Sequence, residues 1–408
     1  MRDGKHELVI EAEKKVREVF DRIEETAFVN QARVLEAFQR ARVREHHFHS
    51  STGYGYNDTG REVLESIYAA VFGGEGALVR SQIISGTHAL SLCLFALLRP
   101  GDELVSACGR PYDTLVRVIG AKGQTRFSLV ERGINYREVA LTPEGKIDVE
   151  ALGKALTSKT RVVLIQRSRG YSWRPALSTE DIRRTVRAVK DVAPHAVCLV
   201  DNCYGEFTDP LEPSHVGADL TVGSLIKNPG GGLAPGGGYV VGREELIEQV
   251  AAQLTAPGLG KEVGPSMWDK RLVYQGLFIA PHVVGEALKG AVLAAYIMEA
   301  LGYEVSPRWD EPRGDIVQAI KLDSPEKVRA FCQAVQASSP VDSDVRLEYS
   351  VMPAYEDEIV MAAGTFVQGS SIELSCDGPR RSPFVAYLQG GLTYQHVRYA
   401  LLRIMSVM

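Results

Sequence analysis

Two residues of this 408-residue chain stand out for the covalent chemistry they could do together: Asp201, closing the apolar run Ala196 to Val200, and Lys227, 26 positions later. Lys227 sits in the stretch Asp219 to Pro229, just before the glycine-rich segment Gly230 to Gly238. A lysine amine attacks a carbonyl only in its neutral form. Partial burial among Leu225, Ile226 and Pro229 would favour that form, and the glycine-rich backbone would leave room for a bulky group against the amine. The opposing reading is a solvated surface charge, the usual state of a lysine. A carboxylate ending an apolar strand is costly to bury unless it meets a positive partner. A helix cap or a metal site would also account for Asp201.

Five further stretches hold groups suited to anions or flat rings. In Ile83 to Leu98, Ser85 or Thr87 can cap a helix, and Gly86 lets a ligand approach the backbone. Free amides and the dipole at such a terminus suit a phosphate, although an ordinary capped core helix would read the same way. In Gly109 to Thr114, Tyr112 can lie flat against a planar ring. The run Gln166 to Arg174 carries Arg167 and Arg169, both anion binders, and Ser371 to Arg381 reads as a strand running into a loop that presents Arg381. In Ser51 to Arg61, turn chemistry explains the glycines and Asn57. It does not require Tyr54, Tyr56 and Arg61, which would suit an anion-binding loop.

The elements that must position these groups follow a regular order. Strand-like and helix-like segments alternate from Ala77 to Val200, the pattern of a mostly parallel sheet covered by helices, an α/β fold. Ligands gather at the carboxyl ends of such strands, and the chemically rich loops all follow strands. Residues 6–45 have apolar positions at helical spacing, forming an arm that packs on a neighbouring subunit or caps its own. Beyond Pro281 the composition shifts, giving an expected division into an arm and interface loop (1–60), a large cofactor-binding domain (61–281) and a smaller α+β carboxyl-terminal domain (282–408). Pro307 to Pro312 reads as a connector.

Composition narrows the class. With Lys+Arg 46 against Asp+Glu 51 there is no basic excess for nucleic acid or an anionic membrane. The charged start lacks the core of a signal peptide, and apolar runs such as Ala89 to Leu98 are too short to span a bilayer, so the expected location is cytoplasmic. Six scattered cysteines form no pair or His/Cys cluster at zinc spacing, and no metal is expected. Cys203, two residues past Asp201, lies close to the candidate site in sequence.

An anion site, a ring stack, a strand-end carboxylate and a lysine, in that order, are the parts that pyridoxal 5'-phosphate needs. From about Tyr54 to Leu401 the chain resembles the methionine gamma-lyase-like proteins, often labelled aluminium resistance proteins. These lie in the cysteine/methionine-metabolism branch of fold-type I pyridoxal-phosphate enzymes. The resemblance is carried by SGTHAL from Ser85, PYDTL from Pro111, QRSRGYSWRP from Gln166, VDNCYGEF from Val200, GSLIKNPGGGLAP from Gly223 and YLQGGLTY from Tyr387.

It implies that Lys227 holds the cofactor, Asp201 pairs with its ring nitrogen, Tyr112 stacks on the ring and assists as acid or base, and Ser85, Gly86, Thr87 and Ser224 bind its phosphate. It places Tyr54, Tyr56 and Arg61 where the branch brings a tyrosine and an arginine from a neighbouring subunit, within a homotetramer built as a dimer of dimers. Where the branch carries a carboxylate-binding arginine, this chain has Glu373 before Leu374 and Ser375; the task passes to Arg381, Arg167 or Arg169. The implied activity is elimination of a thiol from a sulfur-containing amino acid such as methionine or cystathionine. A γ-replacement enzyme or aldolase, or a low-turnover cofactor-binding stress protein, are the alternatives.

Overall fold

A computed structural model describes residues 4–121, 123, 126–353 and 355–408. The chain opens with helices α1 (Gly4–Lys15) and α2 (Arg17–Arg40), whose Val9, Ala12, Phe20, Val34 and Ala37 are buried, as their spacing along one face requires. Next come α3 (Thr59–Phe72), β1 (Gly76–Arg80), α4 (Gly86–Leu97), β2 (Glu103–Ser106), α5 (Asp113–Ile119) and β3 (Asn135–Glu138). They are followed by α6 (Val149–Ala155), β4 (Thr160–Gln166), α7 (Thr179–Val192), β5 (Val197–Asp201), β6 (Leu220–Ser224), β7 (Gly238–Gly242) and α8 (Glu244–Leu254).

The seven strands form one sheet in the order β1-β7-β6-β5-β4-β2-β3. The pairings from β6 through β5, β4 and β2 to β3 are parallel, while β7 runs antiparallel to β6 and β1. Strands β4 and β5 read as unbroken apolar runs because helices cover both faces of the sheet; Val162 to Ile165 and Val197 to Val200 are all buried. Asp201 is in register with Gln166 on one side and Val222 on the other, so its strand ends in the middle of the sheet's carboxyl edge.

Helix α9 (Lys270–Ala300) has an apolar window long enough to cross a bilayer, so the expectation that every apolar run is too short does not extend to it. Most of that window is buried against α2, the glycine segment after Lys227, and the second sheet, which accounts for its hydrophobicity as core packing. Pro281 lies inside α9, which therefore runs unbroken through the expected boundary at 281/282. The remaining elements are β8 (Val305–Ser306), β9 (Val317–Lys321), α10 (Pro325–Gln336), β10 (Ile359–Ala362), β11 (Ser375–Pro379), β12 (Val385–Gln389) and α11 (Tyr394–Ile404). Their strands form an antiparallel sheet in the order β10-β11-β12-β9-β8.

The glycines after Lys227 serve a different purpose from the one their sequence suggests. A side chain on Gly230, Gly231 or Gly276 would run into facing backbone, so these positions let the turn after Lys227 lie directly on α9. None of them faces the cavity described next.

Candidate active site

Between the carboxyl edge of the large sheet and strands β9, β11 and β12 lies a cavity of about 560 Å³. One wall is the start of α4. Ser85 is its N-cap, with the hydroxyl accepting from the His88 amide at 3.1 Å. The amides of Gly86 and Thr87, in the first turn, have no intrahelical acceptor, and the helix dipole adds positive potential there. Gly86 packs closely there: a Cβ at that position would sit 2.9 Å from the Cys203 sulfur, which would have to shift. Ser224, at the end of β6, lines the same wall. Together these groups could hold an anion such as a phosphate.

Tyr112 precedes α5 and is fixed at both ends. Its amide donates to Gln166 Oε1 at 3.1 Å, and its hydroxyl lies 3.1 Å from Thr87 Oγ1. Burial pushes the phenol pKa well above its ordinary value, with Asp201 adding to the effect. Tyr112 is therefore protonated at neutral pH and enters any proton transfer as an acid first.

Asp201 is buried, and its Oδ1 accepts from the Cys203 amide at 3.1 Å. Burial raises its pKa against the opposing effects of Cys203 and Lys227. The Lys227 ammonium donates to the Ser370 carbonyl at 3.0 Å and lies over the Tyr204 ring, 3.6 Å from its centroid. Tyr204 holds that place with a left-handed backbone, φ 70, a conformation costing about 1–2 kcal/mol in a residue other than glycine. Burial alone would lower the Lys227 pKa, but Tyr204, Cys203 and Asp201 outweigh it and leave it raised. This corrects the expectation drawn from the apolar neighbours: without a ligand, the amine is held as an ammonium among polar groups, and it must lose a proton before it can attack a carbonyl.

The other candidate residues divide into two groups. Arg169 and Arg381 line the cavity. Arg169 is almost fully buried, with Nη1 donating to the Ser306 carbonyl at 2.8 Å and Nε lying 3.9 Å from the buried Asp315 carboxylate. Arg381 is half-exposed; its guanidinium donates to Asp357 at 3.0 Å and to the Tyr171 carbonyl at 2.9 Å. Arg167 is turned away from the cavity, with its guanidinium donating to Asn202 at 2.8 Å and lying 3.7 Å from buried Glu212.

Arg61 is likewise buried outside the cavity, donating to the carbonyls of Gly55 and Gly264 at 2.8 and 2.7 Å. It thereby ties down the loop whose Tyr54 and Tyr56 rings stand 73% and 59% exposed, 5.7 Å apart. Glu373 accepts from the amides of Phe366 and Val367 at 2.9 and 2.8 Å, so its carboxylate shapes a loop.

Among the cavity residues that sequence reasoning missed are Asp377 and Tyr171. Asp377, in β11, is 4% exposed and accepts from the Tyr171 hydroxyl at 2.9 Å. Tyr171 lies against Tyr387, with ring centroids 5.3 Å apart. The available signal was the period-two pattern of strands: Cys376 and Gly378 face α10, so the acid between them must face the other side of the sheet.

The mostly parallel sheet, the antiparallel sheet beside it and the lysine-containing cavity between them form the fold of pyridoxal-phosphate-dependent cystathionine lyases and synthases. A family model for methionine gamma-lyase matches residues 5–408. The chain is 51% identical over 393 residues to the uncharacterized protein YnbB of Bacillus subtilis (strain 168), covering 96% of this chain and 93% of that protein. It is 48% identical to a carbon-sulfur lyase involved in aluminum resistance from Clostridium novyi NT; that structure covers 100% of this chain and 96% of its own, with a TM-score of 0.95. L-methionine gamma-lyase of Pseudomonas putida is 30% identical over 216 residues, 53% of this chain and 48% of that protein. The chain belongs to the methionine gamma-lyase family, a group of pyridoxal-phosphate-dependent carbon–sulfur lyases and synthases.

Proposed function

We propose that the protein cleaves the carbon–sulfur bond of a sulfur-containing amino acid and, with hydrolysis by one water, releases a thiol, a 2-keto acid and ammonia. The observation that carries this reading is the pairing of Lys227 and Asp201 in one cavity with the open amides of α4, neither side chain making an ion pair among the described residues. The residues present fit pyridoxal 5'-phosphate: a buried carboxylate without a cation, an amine within the cavity and a glycine that leaves helix amides bare. When bound, that cofactor supplies a conjugated ring that takes up the electron pair left on an amino acid's α carbon.

The chain's own groups do the rest. Gly86, Thr87 and Ser224 would hold the cofactor's phosphate, Asp201 would keep a proton on its ring nitrogen, and Tyr112 would pack against its ring. Lys227, once neutral, removes the proton from the substrate's α carbon and returns it elsewhere on the substrate. Tyr112 is placed to protonate the departing sulfur, and Arg381 or Arg169 orients a substrate carboxylate. Loss of thiol from the β carbon yields pyruvate, whereas loss from the γ carbon yields 2-oxobutanoate. The exposed Tyr54 and Tyr56 belong, on this reading, to the site of a neighbouring subunit in a cytoplasmic homotetramer.

The test is an absorption spectrum of the cofactor-loaded protein before and after adding methionine, S-methylcysteine or cystathionine, with keto acid assayed in the same cuvettes. A visible band that shifts as pyruvate or 2-oxobutanoate accumulates is the expected result. A shift without keto acid would point to a replacement or aldol reaction, and no band with added cofactor would overturn the role of Lys227.

A further inference from the structure

The cavity holds a second buried acid that cofactor binding leaves unused. Asp377 stands on β11, with its backbone opposite Tyr387 of β12 and Met361 of β10. One oxygen, Oδ2, accepts from the Tyr171 hydroxyl at 2.9 Å; Oδ1 accepts from no group among the described residues. Asp377 is 4% exposed, and what exposure it has is toward the cavity it lines. A carboxylate so placed, with one oxygen committed and one free, is costly to bury unless a cation completes it. No arginine or lysine does so among the described residues: Arg381 is held by Asp357 and the Tyr171 carbonyl, Arg169 by Asp315 and Ser306, and Lys227 by Ser370.

Tyr171 gives this corner its character. Its hydroxyl binds the acid Asp377 while its carbonyl binds the base Arg381, so one residue fixes an anion and a cation on the same side of the cavity. Its ring is flanked by Tyr387 at 5.3 Å and Tyr355 at 6.1 Å, which limits its freedom to swing away. The Asp377 carboxyl is pushed up to about 6 by burial, against the opposing effects of Tyr171 and Lys227. An arriving ammonium would restore its charged form.

We propose that Asp377, positioned by Tyr171, receives a second ammonium group on the substrate, one remote from the reacting amino acid. This inference rests on the lyase reading and deepens it. The preferred substrate class is then a sulfur amino acid whose far arm ends in an ammonium, over one whose sulfur bears a plain alkyl group. The reacting α-amino group does not fulfil this role, because it is consumed in attachment to the cofactor. The adjacent Arg381 suits a carboxylate on the same arm.

The test uses two compounds that differ by one ammonium, L-cystathionine and S-(3-carboxypropyl)-L-cysteine. Their affinities for the cofactor-loaded protein are measured by calorimetry, and their kcat/KM values by keto-acid release. The wild-type protein should prefer cystathionine by about tenfold or more, the size of one charge-assisted hydrogen bond. Asp377→Asn should abolish that preference while leaving the carboxypropyl compound bound as before; Tyr171→Phe should reduce it.

An absent preference in the wild type, a preference that survives Asp377→Asn, or equal weakening of both compounds in that variant would each overturn the assignment. If the preference is seen in binding and lost in Asp377→Asn but neither compound yields keto acid, the lyase reading fails and the ammonium site stands. If keto acid forms without the preference, the reverse holds.

Discussion

Two buried charged clusters in this molecule use the same kinds of residue in opposite ways. At the start of α3, Asp58 caps the helix, accepts from the Arg61 amide at 3.0 Å, and is bonded to both Lys270 and the Ser51 hydroxyl. Beside it, Arg61 holds two carbonyls, and the Tyr274 hydroxyl donates to Gly60 at 2.7 Å. In the cavity, Asp201, Asp377 and Lys227 are also buried, yet neither of these two carboxylates is joined to a base among the described residues. A buried carboxylate completed by a cation, as Asp58 is by Lys270, locks a loop onto a helix, whereas one without a cation carries a desolvation cost that a ligand can relieve. Buried charge therefore marks a site here only where its hydrogen-bonding capacity is unfilled.

Replacement of a residue in each cluster should separate these roles. Lys227→Ala is expected to cut keto-acid release by roughly 10³-fold or more, because no other described group in the cavity has an amine to move the α proton. Its thermal midpoint should stay within a few degrees of wild type, since the ammonium is held only by one carbonyl and a ring face. Keto-acid release near the wild-type rate would break the contrast outright.

Asp58→Ala should do the opposite, costing about 3–5 kcal/mol of stability by leaving Lys270 buried without its partner. Burial alone would raise the Asp58 pKa, but Lys270, Ser51 and the Arg61 amide outweigh it and hold the pKa well below the usual carboxylate range. With the folded pKa below the unfolded one, this stabilisation is complete above about pH 4 and is lost as pH falls further. Denaturant melts between pH 7 and pH 3 should therefore show the gap between wild type and variant beginning to narrow at the acid end, with most of it remaining at pH 3. A constant gap would rule out the ion pair as the source of stability.

The sequence made the framework and half of the site readable, for physical reasons. Apolar runs ending in Gln166, Asp201 and Ser224 announce buried parallel strands, and their ends are the carboxyl edge where the cavity opens. Ser85, Gly86 and Thr87 announce a capped helix whose first turn is bare. What could not be read was direction. Arg167 and Arg169 are two residues apart and equally basic, yet only tertiary packing turns one toward Glu212 and the other toward the cavity. The glycines after Lys227 looked like room for a ligand, but the same lack of side chains permits contact with α9. Asp377 was legible only to a reader who knew which face of β11 meets the cavity, and that face is set by α10 on the other side.

Arg381 offers the finest discrimination between a residue that binds and one that builds. It is half-exposed and already shared with Asp357, so losing it removes part of one charge-assisted contact and leaves no unpaired charge in a dry interior. Arg381→Ala should raise KM by roughly tenfold to a hundredfold, the range of a lost hydrogen bond to a charged group. Cofactor content, read from the visible band, should not change, because the phosphate receptacle lies on α4 and β6. Arg167→Met should show the reverse pattern, a lower thermal midpoint with KM unchanged in the folded fraction, since its charge faces Glu212 and Asn202. An unchanged KM in Arg381→Ala would move carboxylate recognition to Arg169, whose side chain is the other candidate arginine on the cavity wall.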